Sequence, residues 1–209
     1  MKKLAVSAVV LAALVALAAA CAEEPAPVAP PAPPPPPPVA VAPPPVADEA
    51  TPTLRLPADT RPTAEAIELH VDPRQERFSG AVDIDVRLDR PRSTIWLHGK
   101  DLHVTAATVT PEGGATVAGT WQERHESGIA ALALAAVVPA GKARVHVVFD
   151  APFGRGSKGL YKTREAGTEY AFTQFEAIAA REAFPCFDEP GFKIPFTTTL
   201  VVPAEMQAI

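Results

Sequence analysis

The sequence predicts an all-β domain, an antiparallel β-sandwich or open barrel of short strands, preceded by a disordered Pro-rich stalk. Three observations lead there. From Thr53 onward apolar and polar residues alternate with a period of two, the alternating runs are short and regularly spaced, and turn residues separate them. Ahead of Thr53 the chain is mostly Pro, Ala and Val and shows no alternation at all.

The elements follow in order along the chain. Ile67, Leu69 and Val71 alternate with Glu68, His70 and Asp72, which is a strand with one buried and one wet side. Ala81 to Asp89 repeats the pattern, with Val82, Ile84, Val86 and Leu88 on one face and Asp83, Asp85, Arg87 and Asp89 on the other. Further strands are expected at Ser93 to Leu97, Leu102 to Val109, Gly128 to Val137 and Val145 to Phe149. Pro111-Glu112-Gly113-Gly114 and Pro139-Ala140-Gly141 supply turns between them. Gly128 to Val137 is Ala-rich and helical by propensity, but Leu132 and Leu134 alternate and Val137-Val138-Pro139 is a poor helix end. A short helical turn is expected at Ala177 to Phe184, stopped by Pro185. Leu200-Val201-Val202 opens another strand, and a sheet interrupted there would leave an unpaired edge.

The front of the chain reads as targeting rather than fold. Met1-Lys2-Lys3 gives a positive start, and Leu4 to Ala20 follows without a charge or a helix breaker, as in a secretory signal (residues 1–20). Cys21 stands directly after Ala18-Ala19-Ala20, the arrangement of bacterial lipoproteins whose cysteine is acylated after cleavage, although Leu17 is one residue further back than usual. Cys21 is therefore the candidate lipidation site. An acylated chain would be held on a membrane of the bacterial envelope, facing periplasm or exterior. Residues 21–52 form the linker, with an unbroken proline run from Pro33 to Pro38 that favours an extended polyproline II stalk. Residues 53–209 are the folded domain.

A net charge of −5 spread over both signs gives no basic surface for a nucleic acid partner. Cys21 and Cys186 are the only cysteines, so there is no disulfide framework and the fold must rest on its apolar core. Cys186 lies in Phe184-Pro185-Cys186-Phe187 and reads as a small buried residue rather than a nucleophile.

Short motifs then accumulate in one order. Leu56-Pro57 and Arg61-Pro62-Thr63 lead into the first strand, and Phe78-Ser79-Gly80 precedes the second. Trp96-Leu97-His98-Gly99-Lys100-Asp101-Leu102, Gly159-Leu160-Tyr161, Thr173-Gln174-Phe175-Glu176-Ala177 and Phe184-Pro185-Cys186-Phe187-Asp188-Glu189-Pro190 follow. Together they resemble the amino-terminal β domain of the aminopeptidase N family of zinc metallopeptidases. The resemblance implies that Glu176 binds the free α-amine of a peptide substrate and that Gln174 lines the pocket for its first side chain. A carboxylate suits that task, because it makes a charge-assisted hydrogen bond to an ammonium that an internal peptide nitrogen cannot match. Asp188 and Glu189 read as loop-shaping acids that accept backbone or Arg hydrogen bonds.

Catalysis in that family needs H-E-x-x-H with a downstream Glu, which together hold zinc and activate water. Here His125-Glu126 is followed by Ser127-Gly128-Ile129, and His70, His98, His103 and His146 fall on separate predicted strands. No catalytic residue and no metal ligand are therefore assigned in this chain, and zinc is expected only in a full-length enzyme. The sequence reads as the substrate-anchoring β domain of an exported zinc aminopeptidase that acts on peptide N-termini, C-terminally incomplete and inactive alone. The alternative reading is a non-catalytic, membrane-tethered β module that binds proteins or peptides.

Overall fold

The computed structural model describes residues 50–209; the leader, Cys21 and nearly all of the Pro-rich linker lie outside the described residues. The described part is β throughout, apart from a single 3-10 turn at Ala180–Glu182. Its strands are β1 (Thr60–His70), β2 (Arg77–Leu88), β3 (Arg92–His98), β4 (His103–Pro111), β5 (Val117–His125), β6 (Ile129–Val138), β7 (Gly141–Pro152), β8 (Gly159–Glu165), β9 (Thr168–Gln174) and β10 (Phe196–Val201). Eight of them make one sheet in the order β10-β1-β2-β7-β4-β5-β6-β3, and β8 and β9 form a separate hairpin.

The sheet curls into a half-barrel. The shortest ladder is that between β4 and β5, which meet at only two residue pairs, Thr108 with Ala118 and Val109 with Val117. Long antiparallel ladders hold the two sides. β2 pairs with both β1 and β7 along its length, and β6 lies between β5 and β3. One pair departs from the antiparallel expectation: β10 runs parallel to β1, with Glu65 opposite Phe196 and His70 opposite Val201. β1 and β10 are separated in the chain by all the intervening strands, so no hairpin turn dictates an antiparallel pairing.

The alternating residues of β1, β2 and β7 fill the core, where Val82, Ile84, Val86, Val145, Val147 and Phe149 are all essentially inaccessible. Gly80 shows why the Phe78-Ser79-Gly80 motif ends in glycine. A Cβ there would lie 2.4 Å from the Glu68 carbonyl oxygen and 2.8 Å from Leu69 Cδ2, so β1 and β2 approach only because the side chain is missing. Phe78 packs edge-on against Phe149 at 6.4 Å and against Phe153 at 5.3 Å, closing that end of the core.

Candidate functional site

Gln174 is the last residue of β9, and Phe175 onward leaves the strand. The hairpin that delivers it turns at Ala166 and Gly167, both at positive φ, the geometry of a tight two-residue hairpin turn. Tyr170, Phe172 and Gln174 alternate onto one exposed face of β9, with Phe172 near Tyr161 and stacked on Tyr170. The Glu176 backbone N–H donates to Gln174 Oε1 at 3.1 Å, so the two residues are joined in one local turn. Both are exposed, and the Glu176 carboxylate meets no protein partner among the described residues. The peptide between Glu176 and Ala177 is cis.

Beyond Glu176 the chain is fastened tightly. The Ala179 N–H donates to the Phe175 carbonyl at 2.9 Å, and the Phe175 ring meets Phe184 edge-on at 5.6 Å. Arg181 is the hub of this segment and is buried. Its guanidinium donates to Asp188 Oδ2 at 3.0 Å, to the Asp188 carbonyl at 2.9 Å and to the Ser127 carbonyl at 2.8 Å. The Arg181 carbonyl in turn accepts from the Lys100 N–H at 2.8 Å. Gly128 makes room for the arginine stem, since a Cβ there would lie 2.9 Å from Arg181 Cδ. The loop that starts at Glu176 is thus tied to the loops that follow β3 and β5.

Two further links complete the brace. Cys186 and His98 exchange backbone hydrogen bonds at 2.8 and 2.9 Å, and the Asp188 N–H donates to His98 Nδ1 at 3.1 Å. An Nδ1 that accepts is unprotonated. Burial, and then the Arg181 charge, push the imidazole pKa down to about 3, so His98 is neutral. Glu189 Oε1 accepts from the Leu56 N–H at 2.6 Å, which joins the Leu56-Pro57 motif to the same loop. Asp188 and Glu189 therefore shape the loop by accepting Arg and backbone hydrogen bonds.

Glu65, like Arg181, was not singled out from the sequence. Glu65 on β1 is buried, and neither carboxylate oxygen has a hydrogen-bond partner. Burial, and secondarily the negative charge of Asp188, push its pKa up to about 8, so it is a neutral acid at pH 7. The same burial, with Glu65 and Asp188 nearby, raises the Cys186 thiol well above its ordinary range, which leaves it unreactive. The signal for Glu65 was parity: it lies in phase with Ile67, Leu69 and Val71 on the inward face of β1.

The residues do not fit a zinc ion. His70 is bonded to Glu68, His103 to Asp150, His125 to Ser127 and His146 to Asp83, while His98 is held by Asp188. Among the described residues no three His, Cys, Asp or Glu side chains converge on a metal position.

Comparison with known proteins gives a consistent picture. Residues 61–209 match the family described as the peptidase M1 N-terminal domain. Similar proteins include aminopeptidase M1-D of rice, 32% identical over 162 residues, or 74% of this chain and 18% of the relative. Endoplasmic reticulum aminopeptidase 2 of human is 35% identical over 156 residues, 69% of this chain and 16% of the relative. Aminopeptidase M1-C of rice is 32% identical over 81% of this chain. The chain spans no more than 20% of the length of these relatives.

Proposed function

The chain belongs to the peptidase M1 family, whose N-terminal domain it carries over residues 61–209, and we propose that it supplies the acid that anchors a peptide's free amine in an exported aminopeptidase. The observation that carries this reading is the Gln174–Glu176 turn. It presents an unpaired, solvent-facing carboxylate at the end of a strand, on a loop held in place by the buried Arg181 and its ion pair with Asp188. In water an isolated carboxylate attracts an ammonium only weakly. Against a catalytic domain that excludes solvent, the same pair becomes a charge-assisted hydrogen bond that recognises a chain end. Water activation and bond cleavage belong to that second domain, together with the zinc on which this family's chemistry depends. Export and a lipid anchor at Cys21 would place the activity on the envelope surface, with the Pro-rich linker as spacer.

The test uses a form in which this domain is joined to its catalytic domain. A hydrogen bond to a charged group is worth about 1.5–3 kcal/mol, so Glu176→Gln should lower kcat/KM on free-amine substrates roughly ten- to a hundredfold. Fold and zinc content should not change. Wild-type kinetics in Glu176→Gln would leave the residue as a surface acid at a strand end.

A further inference from the structure

The Glu65 carboxyl is roofed by the connection between β9 and β10, residues 175–195. That connection meets Glu65 twice: the Pro195 carbonyl accepts from the Glu65 N–H at 3.0 Å, and the carboxyl interacts electrostatically with Asp188 and Cys186. The neighbours paired with it in the sheet are apolar, Ile84 on β2 and Phe196 on β10. Arg181 is the cation of the cluster, and its Nε, Nη1 and Nη2 are committed to Asp188 and to the Ser127 carbonyl. His98 on β3, the remaining titratable group, is neutral and accepts from the Asp188 N–H. Two acids thus lie beside one arginine, and only Asp188 is bonded to it. Glu65, 2% exposed and without a partner for either oxygen, avoids a buried unpaired charge by keeping its proton.

Loss of that proton would demand water, and the routes by which water reaches Glu65 differ in cost. On one side β1 is tied to β2 through ten residue pairs. On the other, the connection 175–195 has no ladder beyond the single bridge of Cys186 with His98, and its only helical turn is Ala180–Glu182. Separate bonds fasten it: Arg181 to Asp188 and Ser127, the Lys100 N–H to the Arg181 carbonyl, the Cys186–His98 exchange, and the Leu56 N–H to Glu189. Segments held in this way open at lower cost than paired strands.

We propose that the connection 175–195 is a pH-sensitive latch: protonated Glu65 lets it close over β1 and β3, and loss of the proton releases it as a unit, together with the segment that carries Glu176. With the latch closed, burial and secondarily Asp188 raise the Glu65 pKa from 4.5 to about 8. With it open, the carboxyl is in water and titrates near its ordinary value. Between those two values opening releases a proton, so the open fraction rises about tenfold per pH unit and levels off above the closed-state value. The consequence for catalysis rests on the role proposed above for Glu176: amine anchoring would weaken as pH rises through this window. The latch itself does not depend on that role.

Hydrogen exchange on the full chain tests the latch without any substrate, each amide being compared with its intrinsic rate at the same pH. The amides of Lys100, Ala179, Cys186 and Asp188 donate bonds that opening breaks. Those of Val82 and Val147, in strands paired on both sides, report the core. The four latch amides should be less protected than the two core amides, and should lose protection roughly 50- to 100-fold between about pH 5.5 and 7.5. In Glu65→Gln their protection should not vary with pH, and Glu65→Met, equally unable to titrate, covers the case in which the Gln variant fails to fold. Latch protection independent of pH in the unsubstituted chain would overturn the proposal, as would a pH dependence that persists in a folded Glu65 variant. Protection equal to that of Val82 and Val147 would also overturn it, because Glu65 would then meet water only on global unfolding. So would a response at Cys186 and Asp188 that fails to reach Ala179, since the segment beside Glu176 would stay closed.

Discussion

Replacing Glu65 by Gln should stabilise the domain, and by an amount that grows with pH. The carboxyl has its pKa raised from an ordinary 4.5 to about 8 in the folded state. Between those values the unfolded chain gives up the proton and the folded chain keeps it. A raised acid pKa therefore contributes stability that is fully present at low pH and is lost as pH climbs toward 8. The slope reaches about 1.4 kcal/mol per pH unit between the two pKa values and flattens at each, so the loss relative to pH 4.5 is about 3 kcal/mol at pH 7 and about 4 kcal/mol by pH 8. Gln has the same shape and no titration, so the difference between the two proteins isolates Glu65 from every other ionising group. Denaturant unfolding of both at pH 5, 6, 7 and 8 reads it directly. For a domain of this size, about 3 kcal/mol at pH 7 corresponds to a Tm difference of roughly 6–12 °C. A stability difference that does not change with pH, or Glu65→Gln less stable at pH 8, would refute the assignment of Glu65 as a buried neutral acid.

Three other outcomes follow from the same physical reasoning. Arg181→Met leaves the half-buried Asp188 carboxylate without its buried partner and should cost about 3 kcal/mol by denaturant unfolding. Gly80→Ala drives a methyl group into the Glu68 carbonyl and Leu69, and should destabilise by about 1–3 kcal/mol or displace β1, visible as lost amide protection in that strand. Intact-mass analysis of membrane-fraction protein should show diacylglyceryl mass on a chain beginning at Cys21, and Cys21→Ser should abolish it.

What the sequence disclosed follows the physics of its faces. β2 was legible because one side is wet and the other dry, so polarity alternates without a break from Ala81 to Leu88. β5 was not, because Gly119 interrupts its apolar face; Leu132 of β6 fills the vacant place, and a Cβ on Gly119 would lie 2.5 Å from Leu132 Cδ1. The β8–β9 hairpin was hidden for another reason. Both of its faces are largely solvated, so charges such as Lys162, Arg164 and Glu169 blur any alternation, and Ala166-Gly167 is a quiet turn sequence. Gln174 and Glu176 stood out only through the motif around them. Their exposure is a tertiary fact, and the hydrogen bond between them is a local turn that the residue types do not announce. Arg181 gave no sign of its role, since the carbonyl of Ser127 that it binds lies 54 positions away in the chain.

The turn at Gln174 also settles which polar atoms face outward. A backbone N–H can only donate, so the side-chain atom accepting from Glu176 is the amide oxygen, and the –NH2 of Gln174 is left pointing elsewhere. The pair therefore offers the solvent side two unlike prongs, an anionic acceptor from Glu176 and a neutral donor from Gln174. The first residue of a peptide has the opposite arrangement, a cationic donor at its amine and a neutral acceptor at its carbonyl. In the role proposed above, a molecule with an amine but no neighbouring carbonyl would satisfy only one prong, and an acylated peptide terminus only the other.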